Sequence, residues 1–134
     1  MPREGQYGER RRRLEAPSAS DSLTAWLQRY LEALHVQGYG GQLLNARRSA
    51  LARFLEWCSE RQLERPGEIT KPILERYQRH LFYARKPDGQ PVSSKGQWLL
   101  INHVRLMFRW LVRHNHLPTN PASDLDMPRM PRQI

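Results

Sequence analysis

Lys95, Arg105, Arg109 and Arg113 stand within or beside the most apolar stretch of the chain, residues 98–112, and no acidic residue intervenes between Asp88 and Asp124. A helix of that composition has one side for a core and a cationic side with no internal counter-charge. The chemistry it suits is electrostatic: fixed cations laid against phosphates, each displacing a condensed counterion. The rest of the chain leans the same way. Its 134 residues carry a formal net charge of +9, and of 22 basic residues only Lys71, Lys86 and Lys95 are lysines. With a pI near 10.6, a polyanion is the expected partner class. The arginine fork adds paired hydrogen bonds to phosphate or guanine that a lysine does not offer.

Catalytic chemistry is not expected. His35, His80, His103, His114 and His116 fall on different predicted elements, with no carboxylate or thiol partner at useful spacing. There is no glycine-rich phosphate loop, no His-Glu-x-x-His and no nucleophile elbow. Cys58 is the single cysteine, so the chain by itself assembles neither a disulfide nor a zinc-ligand set. Its place on the apolar side of a predicted helix marks a packed, inert thiol. No metal, cofactor or small-molecule substrate is expected. No apolar run approaches the roughly 20 residues needed to cross a bilayer, and residues 1–20 lack a signal peptide's apolar centre. A cytoplasmic protein with no membrane partner is the expectation.

The elements that position these cations follow from periodicity. A chain with 39% hydrophobic residues has material for one domain of roughly 100 residues plus tails. Residues 1–20, with Arg10, Arg11, Arg12 and Arg13 and almost nothing apolar, read as a disordered basic arm. Asp21 or Ser22 then caps a first helix over about 22–37, apolar at Leu23, Trp26, Leu27, Tyr30, Leu31 and Leu34. Gly38, Gly40 and Gly41 break it. A second helix, about 42–62, carries Leu44, Leu51, Phe54, Leu55 and Cys58. Thr70 caps a third, about 71–85, with Pro72 in its first turn. The run Arg85-Lys86-Pro87-Asp88-Gly89-Gln90-Pro91 has the composition of an exposed loop. Ser93 or Ser94 opens a fourth helix, about 94–115, apolar at Trp98, Ile101, Val104, Phe108 and Leu111. Pro118, Pro121, Pro128 and Pro131 exclude a further long helix, leaving 118–134 as a linker with room for a short turn over 121–125. The domain is therefore expected over 21–117, all-α, as a compact four-helix bundle.

Several stretches together resemble the N-terminal core-binding, SAM-like domain of phage-integrase and Xer-type tyrosine recombinases. They are Ser22-Leu23-x-x-Trp26-Leu27, Gly38-Tyr39, Arg48-x-x-Leu51-x-x-Phe54-Leu55-x-Trp57, Ile69-Thr70-Lys71, Arg105-x-x-Phe108-x-Trp110-Leu111, Asn120-Pro121-Ala122 and Pro128-x-x-Pro131. The resemblance covers about 22–132. It implies an orthogonal four-helix bundle that clamps the major groove of a recombination half-site during bacterial DNA integration and recombination. It also implies a linker to a catalytic domain that supplies the nucleophilic tyrosine. That second domain is absent from this sequence, so the chain is expected to bind double-stranded DNA without cutting it. The chain departs from the family pattern at Arg47 and Ala50, where a tyrosine and an aspartate are usual.

In that family the N-terminal halves of the second and fourth helices cross and face the major groove, and helix N-termini do offer free N–H groups to phosphates. On the second helix Gln42, Asn45, Arg48 and Ser49 lie outside the apolar stripe. On the fourth, Ser93, Ser94, Lys95 and Gln97 occupy the first turn, and Asn102 and Arg105 follow. Lys95, Arg48 and Arg105 would neutralise phosphates, while Gln42, Asn45 and Gln97 have the amide fork for adenine edges or bind backbone. Arg29, Arg76 and Arg79 read as ordinary surface charges compensated by Glu32 and Glu75. Trp57 and Trp110 fit the core; Trp98 is expected partly exposed. Two other readings stay open. One is a protein-interaction module joining recombinase protomers, and the other is a stand-alone DNA-binding regulator.

Overall fold

Ser22, Thr70 and Ser93 each turn extended chain into helix by the same device. The hydroxyl accepts the backbone N–H three residues on, from Ala25 at 3.1 Å, Ile73 at 3.4 Å and Gly96 at 3.0 Å. In the computed structural model, which describes residues 20–130, these caps open α1 (Leu23–Val36), α3 (Lys71–Tyr83) and α4 (Ser94–Arg113). Between the first two lies α2 (Gly41–Ser59), which starts after Gly40 with no side-chain cap. Among the described residues the fold is all-helical, with these four helices, a 3-10 turn at Pro66–Glu68, 3-10 backbone at Ser20 and Asp21 ahead of the first cap, and no strand. Apart from Ser20, the expected basic arm lies outside the described residues, as do the last four residues of the expected linker.

The C-terminal ends of α2, α3 and α4 fall two or three residues short of the periodicity, and α1, α2 and α4 close by one device. After α1 the N–H of Gly38 donates to His35 O and that of Tyr39 to Leu34 O, with Gly38 at φ +96°. After α4, Asn115 takes the same left-handed place at φ +62°, and His116 N donates to Leu111 O at 2.8 Å. Gln62 repeats it at φ +61° after a last loose turn, with Leu63 N donating to Cys58 O. These double hydrogen bonds close a helix by reversing one residue's twist. A glycine announces such a stop; glutamine and asparagine do so less plainly, which is why the second and fourth helices were expected to run to about 62 and 115. At the end of α3, Ala84 is already extended (ψ 149°), and Arg85 folds back to donate to Ala84 O at 3.0 Å.

Each helix contributes to one core. Leu27, Tyr30 and Leu31 come from α1, Leu51, Phe54 and Trp57 from α2, Leu74, Tyr77 and Leu81 from α3, and Ile101, Val104, Phe108 and Leu111 from α4. The face of α2 meets α3 through rings, Phe54 to Tyr77 at 4.9 Å and Trp57 to Tyr77 at 5.1 Å between centroids. The α1 and α4 ends are joined the same way, Trp26 to His116 at 4.3 Å and Tyr30 to Trp110 at 5.5 Å. Packing extends past residue 117. Ala122 and Leu125 are buried in the core, and Gln78 Nε2 donates to Asp126 O at 2.8 Å, so the start of the expected linker is seated on the bundle.

The Tyr77 hydroxyl is buried without a hydrogen-bond partner among the described residues, and burial pushes its pKa up. Tyr77→Phe should therefore keep or raise stability, by up to about 1 kcal/mol, because it removes an unsatisfied polar group at constant shape. A urea titration checks this, with Phe54→Ala as the contrasting case, expected to cost about 3–5 kcal/mol. A clear loss of stability in Tyr77→Phe would contradict the packing described.

Candidate nucleic-acid interface

Small side chains set where α2 crosses α4. Ala46, Ser49, Ala50 and Arg53 on α2 share a shallow groove with Gly96, Leu99, Leu100 and His103 on α4. Of the predicted contact residues this brings Ser49 directly beside the first turns of α4. Gln42, Asn45 and Ser49, three and four residues apart, share the exposed side of α2 opposite Leu44, Leu51 and Cys58. Arg48 flanks them, and its Nη1 donates to Asn45 Oδ1 at 2.9 Å, so the two residues present a pre-arranged pair.

On α4 the core side is fixed by Ile101, Val104, Phe108 and Leu111. At seven- and four-residue steps Lys95, Asn102, Arg109 and Arg113 line the opposite side, with Arg105 on its flank. Lys95, Arg109 and Arg113 are exposed, and Asn102 and Arg105 are half-buried. The other predicted residues are engaged locally. Ser93 spends its acceptor on the cap, Ser94 is half-buried, and Gln97 projects towards the core side, where its amide donates to Val92 O at 2.9 Å. Gln97 thus secures the segment before α4 with one of its amide N–H donors. Trp98 is half-buried, as its position suggested.

Three features escaped the sequence reading. The first turn of α2 is bare: no side chain caps it, and nothing lies within 4 Å of where a Cβ would stand on Gly40 or Gly41. Uncapped N–H groups with open space before them are suited to an anion. Arg53 and the exposed Leu99 border the crossing, and the alternation of alanines with polar residues from 46 to 53 was the available signal for it. Arg47, half-buried, joins α2 to α1: its Nη1 donates to Tyr30 Oη at 2.9 Å, and its guanidinium lies 5.8 Å from the Tyr39 ring centroid. Burial pushes the Tyr30 pKa up, and Arg47 opposes the shift.

No group of three or more histidine, cysteine or acidic side chains that would hold a metal occurs among the described residues. Burial, with Arg61 opposing, pushes the Cys58 thiol up to about 12. No helix there is long and apolar enough to cross a membrane.

The chain is 43% identical over 124 residues, 92% of its length, to Tyrosine recombinase XerC 2 of Ralstonia nicotianae (strain ATCC BAA-1114 / GMI1000). Over nearly its whole length it is similar to a tyrosine recombinase. The chain spans only 36% of that protein's length, which is consistent with an N-terminal domain of such an enzyme. No family model and no solved structure matches the chain.

Two outcomes are expected, one of His103 at the crossing and one of Cys58 in the core. Burial first, and then Arg47, lower the His103 pKa below its ordinary 6.5, so the unfolded chain takes up the proton more readily. The stability this withholds is fully present above about pH 6.5 and is lost as pH falls below it. Urea midpoints measured from pH 7.5 down to 5 should fall, and His103→Gln should flatten part of that fall. Cys58 should be unreactive to a thiol reagent at pH 8 in the folded protein and react fully in denaturant.

Proposed function

We propose that this chain is the DNA-binding domain of a site-specific tyrosine recombinase, clamping the major groove of a recombination half-site. What carries this reading is the joint surface at the α2–α4 crossing. Arg48 and Asn45 are pre-paired beside the bare N-terminus of α2, and Lys95, Asn102 and Arg109 line the coreless side of α4. Phosphates would sit on the α2 N–H groups, Arg48, Lys95, Arg105 and Arg109. Asn45, Gln42 and Ser49 would lie nearest the base edges. The domain runs in this proposal from about residue 21 through the seated segment near Leu125. Strand transfer would belong to the remainder of a longer recombinase acting in the bacterial cytoplasm, with other protomers of the same enzyme as further partners.

Fluorescence anisotropy with duplex DNA across a salt series tests the proposal. Neutralising roughly four to six phosphates should give a log-log slope of about −4 to −5. Lys95→Ala and Arg105→Ala should each flatten that slope by about one unit, and Asn45→Ala should reduce discrimination between sequences more than it reduces total binding. A salt-independent signal, or equal affinity for a matched single strand, would sink the proposal.

A further inference from the structure

A second cationic surface lies at the other end of α2, about 20 Å along its axis from Asn45. Trp57 and Arg61, from α2 and the turn after it, and Arg76, Arg79, His80 and Tyr83 from α3 line one groove. Arg61 is committed locally. Its guanidinium covers the Trp57 ring at 4.2 Å, its Nη1 donates to Trp57 O, and Glu60 pairs with it at 3.5 Å. Arg76 and Arg79 are different: both are exposed, and neither has an ion pair or hydrogen bond among the described residues. The compensation by Glu75 that sequence spacing suggested does not form. The cationic field is felt inside the groove, where burial and then Arg61 and Arg53 disfavour the charged form of His80. Beside these two arginines stand the largest exposed aromatics of the described residues, Phe82 at 59% and Tyr83 at 71% exposure, packed edge to face at 5.0 Å.

We propose that this α2–α3 groove docks an acidic peptide segment of another protein, its carboxylates on Arg76 and Arg79 and an apolar side chain against Tyr83 and Phe82. Exposed aromatics beside unpaired arginines are the composition of a protein-binding centre, and two free guanidinium forks match carboxylates in pairs. Nucleic acid fits less well. Arg61 already covers the Trp57 face, and Phe82 and Tyr83 stand edge to face at 90°, not as parallel platforms on which successive bases stack.

The probe is a fluorescein-labelled peptide alternating aspartate with leucine, titrated by anisotropy against the whole chain. Lysine-for-aspartate and serine-for-leucine versions run beside it, with an unlabelled oligonucleotide as competitor. Binding should need both the aspartates and the leucines. Arg76→Glu with Arg79→Glu, and separately Phe82→Ser with Tyr83→Ser, should each weaken it about tenfold or more, while duplex affinity through the α4 cations changes less than about twofold. Arg76→Gln with Arg79→Gln serves as a milder pair should charge reversal unfold the domain, and it should still weaken the peptide several-fold. Peptide binding that ignores these variants, that survives serine for leucine, or that is absent, overturns the proposal. So does displacement by the oligonucleotide together with parallel loss of oligonucleotide binding in the variants, which would make the groove a second nucleic-acid track.

Discussion

The close crossing of α2 over α4 is the constraint on which the rest of the molecule depends. Ala50, 6% exposed, and Gly96 stand where the two helices meet. At Gly96 a Cβ would lie 3.1 Å from Val92 Cγ1 and 3.2 Å from Ser93 Oγ, so a side chain there would press on the segment that caps α4. A bare position keeps the Ser93 cap intact, while the small Ala50 side chain lets α2 lie low over the first turns. That approach sets Ser49 beside Leu99 and leaves the polar face of α2 continuous with the coreless face of α4. Elsewhere the spacing is set by bulk: α3 is held against α2 by the Phe54, Trp57 and Tyr77 rings, and α1 meets α4 through Tyr30 against Trp110.

Placing many cations on so small a domain has an electrostatic cost, and the structure reduces it by position. Arg48, Lys95, Arg109 and Arg113 are exposed, where water screens them. Arg47 is the exception. It is half-buried with its Nε unpartnered, and only the Tyr30 hydroxyl and the nearby Tyr39 ring compensate it. A tyrosine is usual at that position in the family the sequence resembles; here a guanidinium stands there and donates to the Tyr30 phenol of α1. Ala50, at a position where an aspartate is usual, sits in the crossing itself, where an ionised side chain would lose solvation against Leu100 and His103. Both departures are thus resolved by packing that no periodicity displays.

Element types and order were legible because the apolar spacing is unambiguous and three of four caps are hydroxyl residues at the expected places. Helix ends were less so, because Gln62 and Asn115 take a backbone conformation usually signalled by glycine. The burial of Ala122 and Leu125 was hidden by the prolines around them, which announce irregular chain and say nothing of where it packs. On the candidate surface, Asn45, Arg48, Ser49 and Lys95 could be picked out as polar residues off the apolar stripe. The inward turn of Gln97 could not, since it depends on the carbonyl of Val92 coming within reach before the helix begins.

Net charge by itself does not locate a site, because the arginines here serve different ends that only their neighbours distinguish. Arg85 donates to carbonyls at the end of α3, Arg61 covers an indole and bonds the carbonyl beneath it, Arg29 lies 4.4 Å from the Trp26 ring centroid, and Arg65 reaches Asp21 at 3.1 Å. Such residues contribute to the +9 total yet have part of their donor capacity or ring-facing surface already occupied. A ligand that recruits them must first displace an internal partner. Lys95 and Arg109, and separately Arg76 and Arg79, have no such partner among the described residues, so binding an anion there replaces only water and counterions. These four cations fall on two surfaces, one on the coreless side of α4 and one beside the C-terminal end of α2. The bare helix N-terminus at the first and the exposed aromatic pair at the second make them suited to different anions.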